Sequence, residues 1–214
     1  MTAATASLAL TKAGLVDYER ALELQRSLHA EIAENQRPNT LLLLQHPPVY
    51  TAGRRTLESE KPSDGSPVIN VDRGGKITFH GPGQLVGYPI VRLKNPNDVV
   101  GFVREIELAL IAALKEFGIL AVQFEGNSGV WLRDEKGDRK IAAIGIRVAK
   151  GVTMHGFALN VNPDLTAFNQ IVACGIPDVV TTSMAIELGR GITIAEVAPI
   201  VEQHLVNALG RVSI

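Results

Sequence analysis

The chain is short of cysteine. Cys174 is the single thiol among 214 residues, so no intramolecular disulfide and no thiolate metal cluster can form within it. It also lacks an excess of either charge. Lys and Arg total 21 against 22 for Asp and Glu, a net charge of -1, which leaves no broad cationic field to hold nucleic acid or a membrane surface. Long hydrophobic runs are missing too: Leu41 to Leu44 falls far below the roughly 18 residues that suggest a membrane span, and the N-terminus has no basic-then-apolar signal pattern. A cytoplasmic protein with no nucleic-acid and no membrane partner is the expectation. No internal repeat or low-complexity segment breaks the sequence, and its length suits one domain over 1–214.

What the chain does have is RGGKITFHGPGQ, from Arg73 to Gln84. Glycine permits positive φ and close backbone approach, so Gly74, Gly75, Gly81 and Gly83 can bring main-chain N–H groups against a ligand. Between them KITFH reads as a short strand ending at His80. A plain strand between two glycine turns is the bland alternative. No lysine-serine pair or following helix makes the stretch a nucleotide loop, and no cofactor or metal is expected.

Around this stretch the periodicity predicts a helix over 15–35 capped by Asp17, and a buried strand from Thr40 to Gln45 that breaks at His46-Pro47-Pro48. Arg54 and Arg55 follow on a glycine turn; they could meet a phosphate or an acidic partner, or form a solvated basic loop. Residues 56–67 read as an exposed connection, and Val68–Val71 and Val86–Val91 as strands, the latter at an edge or strand end because of Pro89. Asn97–Phe117 is the clearest helix, with Gly118 where a C-cap glycine belongs. From Ile119 the chain reads as an antiparallel meander, ending in RKIAAIGIRV and VTMHGFALNV around a turn at Ala149-Lys150-Gly151. If that hairpin turns on Lys150 and Gly151, Gly145 faces Gly156 and Ala143 faces Ala158. Four small residues then share one face, leaving a narrow groove suited to a straight acyl chain or to a tightly packed helix. Thr193 and Glu196 have capping-box spacing before a terminal helix.

Cys174 sits in a loop, IVACGIPD, which favours a reachable thiol over buried filler. A thiol of unperturbed pKa about 8.5 is largely protonated at neutral pH, so a nucleophilic cysteine needs a cation or base nearby. Lys140, His80 and His155 are the candidates. Lys140 opens the strand with the small-residue face, although an ordinary solvated hairpin lysine would look the same.

RGGKITFHGPGQLVGYPI, followed in order by KIAAIGIRV, HGFALNV and ACGI, resembles the lipoyl(octanoyl) transferase family of lipoate biosynthesis, from about His46 to Leu188. The resemblance implies an α/β (α+β type) fold with a mixed, largely antiparallel sheet flanked by helices, like that of biotin and lipoate protein ligases. It implies an ATP-independent acyltransferase that takes octanoyl from acyl carrier protein through a cysteine thioester. The acceptor would be the lysine of a lipoyl domain in a 2-oxoacid dehydrogenase complex or of the glycine cleavage H protein. The implied nucleophile is Cys174, with Lys140 lowering its pKa or taking a proton. Implied substrate-binding residues are Arg73, Gly74, Gly75, Lys76, Ile77, Thr78, Phe79 and His80, then Ala143, Ile144 and Gly145, then Gly156, Phe157 and Ala158. A monomer is the default expectation. The alternatives are an ATP-dependent lipoate- or biotin-type ligase, a cysteine hydrolase, and a non-enzymatic interaction domain.

Overall fold

The computed structural model describes residues 8–172 and 180–214. Cys174 and the ACGI motif lie outside the described residues. In chain order the elements are β1 (Ala9–Leu15), α1 (Tyr18–Ala33), β2 (Thr40–Gln45), β3 (Val49–Ala52), β4 (Val68–Asn70), β5 (Thr78–His80), β6 (Gln84–Ile90), α2 (Val99–Glu116), β7 (Val122–Phe124), β8 (Asn127–Asp134), β9 (Gly137–Ala149), β10 (Val152–Asn160), β11 (Val180–Thr181), α3 (Met184–Leu188) and α4 (Ile194–Val212). Among the described residues no helix is long and apolar enough to cross a membrane.

The main sheet runs β1-β2-β6-β10-β9-β8-β7, with β11 added to β9; a second sheet runs β4-β3-β5. All pairs of the main sheet are antiparallel except β1–β2 and β11–β9. The mixed, largely antiparallel architecture is the expected one. α2 and α4 cover one face. Phe102, Ile106 and Leu110 of α2 and Val201 and Leu205 of α4 meet Leu41, Leu85, Ile144 and Leu159 there, and each such fully buried side chain contributes about 1.5–3 kcal/mol. α1 covers part of the other face, with Ala21, Leu28 and Ile32 against Leu42, Val86 and Ala158. The small sheet is the rest of that layer: β4 and the segment after it lie against α1 through Ile69, Val71, Tyr18 and Leu22.

The local signals behave as read. Asp17 Oδ1 accepts from the N–H groups of Glu19 (2.9 Å) and Arg20 (3.3 Å) at the start of α1. Gly118 takes φ +85° after α2, and Thr193 and Glu196 close a capping box on α4. The β9–β10 hairpin has the expected register, with Gly145 opposite Gly156 and Ala143 opposite Ala158.

Three elements differ. β1 carries an irregular, mostly exposed pattern, so periodicity did not mark it. β7 begins only at Val122. Pro89 lies in a central strand, between β2 and β10, and not at an edge. A proline has no N–H to give a ladder, and here the β6–β10 pairing stops at Gly87, opposite the stretch where His155 takes φ +61°. The gap is bridged by a side chain: the Thr153 hydroxyl donates to Pro89 O and accepts from Val91 N–H at 3.0 Å.

Candidate active site

A cavity of about 260 Å³ lies between the main sheet and the layer built from α1 and the small sheet. Its floor is the hairpin face carrying Ala143, Gly145, Gly156 and Ala158, and its roof is the chain from Arg73 to His80. The roof is held by its own arginine. Arg73 is buried, and its guanidinium donates to Gly74 O (3.1 Å), Lys76 O (2.7 Å), Thr51 O (2.8 Å) and the Thr51 hydroxyl (3.0 Å). A planar fork of donors suits a curled backbone in a way that a lysine's point charge does not. Gly74 N–H donates to Ile146 O at 3.0 Å, fastening roof to floor. Lys76 pairs with the buried Glu60.

The floor glycines are sites of close backbone approach more than open groove. A Cβ on Gly145 would come within 2.9 Å of Gly74 O, and one on Gly156 within 1.9 Å of Gly87 O in the neighbouring strand. The groove read from the sequence is therefore narrowed at both glycines by main chain, and the free width belongs to the alanines.

Lys140 reaches the cavity because β9 is irregular. Strict alternation from Ile144 would put Lys140 on the helix-covered face, but Val130 pairs with Ala142 while Trp131 pairs with Lys140, leaving Ile141 as an extra residue. Such a bulge re-aims the side chain that follows it. Lys140 is 7% exposed, its Nζ lies 4.9 Å from the Trp131 ring centroid, and it lines the cavity. Gly129 makes room for it: at φ +111° a Cβ there would meet Lys140 Cε at 2.6 Å. β11 runs parallel to β9 beside it, Thr181 paired with Lys140 and Thr182 N–H donating to Lys140 O at 2.9 Å.

His80 belongs to the same end. Gln84 Nε2 donates to Phe79 O (3.2 Å) and Asn160 Oδ1 (2.9 Å), so its Oε1 accepts from His80 Nδ1–H at 3.2 Å. Asn160 Nδ2 continues the chain to Thr182 O at 2.9 Å. The proton on Nδ1 leaves His80 Nε2 as an acceptor. Burial, followed by the nearby His46 and Arg73, pushes the His80 pKa well below its ordinary value and keeps the ring neutral. Tyr18, stacked on His80 with centroids 5.9 Å apart, is raised to about 12 by burial.

His155 stands at the opposite end, paired with Ile146. Its left-handed backbone turns the side chain toward the cavity layer, where Nε2–H donates to Asp72 Oδ1 at 2.7 Å; Asp72 also pairs with Arg147. Gln25 Oε1 accepts His155 N–H at 2.9 Å. Burial lowers the His155 pKa against the pull of Asp72. The Asp72 carboxyl, disfavoured as an anion by burial, is still held below its usual range by His155 and Arg147. Among the described residues, His155 Nδ1 and Gln25 Nε2 are buried without a hydrogen-bond partner, each a cost of about 1–3 kcal/mol.

Of the residues singled out in the sequence, Lys140, Arg73, Gly75, Lys76, Ile77, Thr78, His80, Ala143, Ile144, Gly145, Gly156, Phe157 and Ala158 line this one cavity. Ile144 and Phe157 border it while belonging to the core on the other face. Gly74 faces an outer depression with Arg54, Asp72, Arg147 and Lys150. Phe79 turns away to pack on Tyr50 and Phe168 at centroid distances of 5.3 and 5.8 Å. Tyr18, Asp72 and Gly129 were not singled out. Tyr18 reads as an ordinary helix-face residue, and the other two act through contacts more than ten residues away in sequence.

Residues 17–206 match the model of the lipoyl protein ligase A/B catalytic domain. An octanoyltransferase from Salinispora tropica is 56% identical over 207 residues, covering 96% of this chain and 97% of that protein. One from Acidothermus cellulolyticus is 57% identical over 203 residues, covering 94% and 92%. Among solved structures, a bi-partite lipoate protein ligase of Thermoplasma acidophilum superposes with a TM-score of 0.70 at 17% identity, covering 94% of this chain and 83% of that one. The biotin protein ligase of Aquifex aeolicus gives 0.53 at 14%, covering 96% and 69%. At such low identity these two share the fold.

Proposed function

The chain belongs to the octanoyltransferases of the lipoyl protein ligase A/B family, and from that premise we propose that it moves an octanoyl group from acyl carrier protein, through a Cys174 thioester, to the lysine of a lipoyl domain, without ATP. The observation that carries the reading is the narrow cavity with Lys140 turned into one end by the bulge at Ile141. β11, which follows Cys174 in the chain by six residues, pairs beside that lysine. Acceptors fitting this chemistry are lipoyl domains of 2-oxoacid dehydrogenase complexes and the glycine cleavage H protein.

In this scheme the cycle starts with Cys174 as thiolate and Lys140 as ammonium. The thiolate attacks the carrier thioester carbonyl, and the tetrahedral oxyanion collapses with loss of the carrier sulfur, which takes its proton from Lys140. The acceptor's neutral amine then attacks the acyl-enzyme. Its proton passes to Lys140, the amide forms, and the Cys174 thiolate leaves, restoring the starting state. Thioester exchange is nearly balanced and thioester-to-amide transfer is downhill, so an adenylate adds nothing. Backbone N–H groups of the roof line the cavity that Lys140 enters and can donate to the acyl carbonyl, whereas His80 Nε2, as an acceptor, suits an N–H of the incoming amine. Over 50% identity to octanoyltransferases, against 17% or less to the two ligases, favours transfer over ligation.

The test is intact-protein mass spectrometry after incubation with octanoyl carrier protein. One octanoyl mass on the native chain, absent from Cys174→Ser, is expected. Full transfer by Cys174→Ser would overturn the reading.

A further inference from the structure

The acyl cavity and the outer depression are separated by a wall one residue thick. Along the roof, Arg73 and Gly75 line the cavity while Asp72 and Gly74 line the depression; along β9, Gly145 lines the cavity while Ile146 and Arg147 line the depression. The point where the two spaces would join is occupied by His155, bonded to Asp72 at 2.7 Å, with Arg147 on the outer side of the same carboxylate. His155 is 1% exposed.

This spot gathers costs that a plain wall would not carry. His155 has a left-handed backbone, and among the described residues its Nδ1 has no partner and the Gln25 amide that fixes its N–H has an orphan of its own at Nε2. A valine or leucine side chain here would at least carry no unpaired ring nitrogen. Backbone outliers and orphaned polar groups that persist in one place point to a role in function. Distance says which role. The Lys140 side chain reaches along the sheet to Gly129, beside Ala142 O, so four residues of β9 separate its ammonium from Ile146, the partner of His155, about 13 Å at strand spacing. That is too far for His155 to share a proton with Lys140. It suits an acyl chain that starts beside the Lys140 ammonium and runs along the alanine floor.

We propose that the His155–Asp72–Arg147 latch is the end stop of the acyl cavity and sets the longest chain the enzyme accepts. The inference rests on the acyl-transfer reading of the same cavity. A chain that fits ends against the imidazole edge; a longer one has to force its methyl end between His155 and Asp72, parting a hydrogen bond that no hydrocarbon can replace. With the latch removed, the cavity opens into the depression beside Gly74 and Ile146, and the surplus carbons have somewhere to go. Arg147 and Asp72 are thus specificity-determining residues that never meet the reacting atoms.

The experiment compares octanoyl, dodecanoyl and tetradecanoyl carrier proteins as donors, reading kcat/KM for each with native protein, His155→Ala and Asp72→Ala, with melting temperature recorded alongside. The ratio of dodecanoyl to octanoyl kcat/KM is expected to rise roughly tenfold or more in the variants, the scale at which pockets discriminate small apolar differences. Asp72→Ala removes the acceptor while leaving the His155 ring in place, and serves if His155→Ala does not fold. An unchanged ratio in a folded variant that still transfers octanoyl overturns the end stop. If no donor acylates native protein at all, it is the acyl-transfer reading that fails. An octanoyl loss with no gain for longer chains also overturns the proposal, because it marks a purely structural role.

Discussion

The two ends of the cavity reach their geometry by different means. At one end β9 takes in an extra residue at Ile141, and Lys140 is turned to the other face of the sheet. At the other end β10 keeps its register with β9, and one residue, His155, rotates into the left-handed region. At the Lys140 end the His80–Gln84–Asn160–Thr182 chain pairs its polar groups one after another, and Trp131 Nε1 beside the lysine is the buried atom without a partner among the described residues. The His155 end leaves two polar atoms, His155 Nδ1 and Gln25 Nε2, unpaired among the described residues. The sheet re-aims one side chain by inserting a residue and the other by placing a non-glycine residue in the left-handed region, and only the second carries that backbone cost.

The contrast breaks first at Lys140. Lys140→Met is expected to lower kcat for octanoyl transfer by about 10²–10⁴-fold, the range for loss of a positioned proton-transfer group. Lys140→Arg should not rescue it, since a guanidinium cannot give up its proton. Steady-state kinetics with a lipoyl-domain acceptor reads both. The same kcat in Lys140→Arg as in the native protein would leave the lysine a merely structural cation.

Next in size is Gly156→Ala beside His155. Its Cβ would lie 1.9 Å from Gly87 O and 2.8 Å from Pro89 Cδ, so a loss of about 2–4 kcal/mol in unfolding free energy is expected, at or above the usual cost of overpacking. Urea denaturation measures it. Gly145→Ala should cost less, about 1–2 kcal/mol, because its 2.9 Å contact is with Gly74 O of a roof segment that can shift further than a ladder-paired strand. Equal losses at the two glycines would erase the distinction between sheet-buried and roof-facing positions.

Gly129→Ala tests the room left for Lys140. Besides the strain of φ +111°, the new Cβ would run into Ala142 O of the bulged strand and meet Lys140 Cε at 2.6 Å; if Lys140 is the proton-transfer group, displacing it by an ångström costs about 10²-fold. The smallest effect is on pH. Burial depresses the pKa of both His80 and His155, against partners that raise it: Gln84 for His80 and Asp72 for His155. The unfolded chain therefore binds more protons than the folded one once pH falls below about 6.5, the ordinary histidine value. Stability contributed by the neutral rings is present above that pH and lost below it. His80→Gln should flatten the decline in melting temperature between pH 7 and 5 more than His155→Gln does, because Asp72 partly offsets the shift at His155.

Much of this could be read from residue types and spacing. Asp17, Gly118 and the Thr193–Glu196 pair act within a turn of where they stand, and the Lys150-Gly151 turn fixed the register of the cavity floor by counting. What could not be read depends on partners distant in sequence. The bulge at Ile141 has no local signal, since RKIAAIGIRV alternates acceptably without it. His155 at positive φ is intelligible only beside Asp72 and Gln25, 83 and 130 residues away. Pro89 sits mid-sheet because Thr153 supplies the missing link. The glycines seemed to leave a groove, because the backbone that fills the space beside them comes from elsewhere.

The sheet order also dictates when the cavity can exist. The β8–β9–β10 meander is made of neighbours in sequence, while β6 joins β10 across 70 residues, Gly87 meeting Phe157. Local pairings form early and distant ones late, because loop closure is costly before it is rewarded. The floor hairpin can thus be in place while the roof from Arg73 to His80, which precedes β6, is still undocked. Pulse-labelled amides during refolding should show the hairpin protected before the Gly74 N–H that fastens the roof. A newly made chain would have its floor long before it could hold a fatty acyl group, and a bound acyl chain would stabilise the last step of assembly.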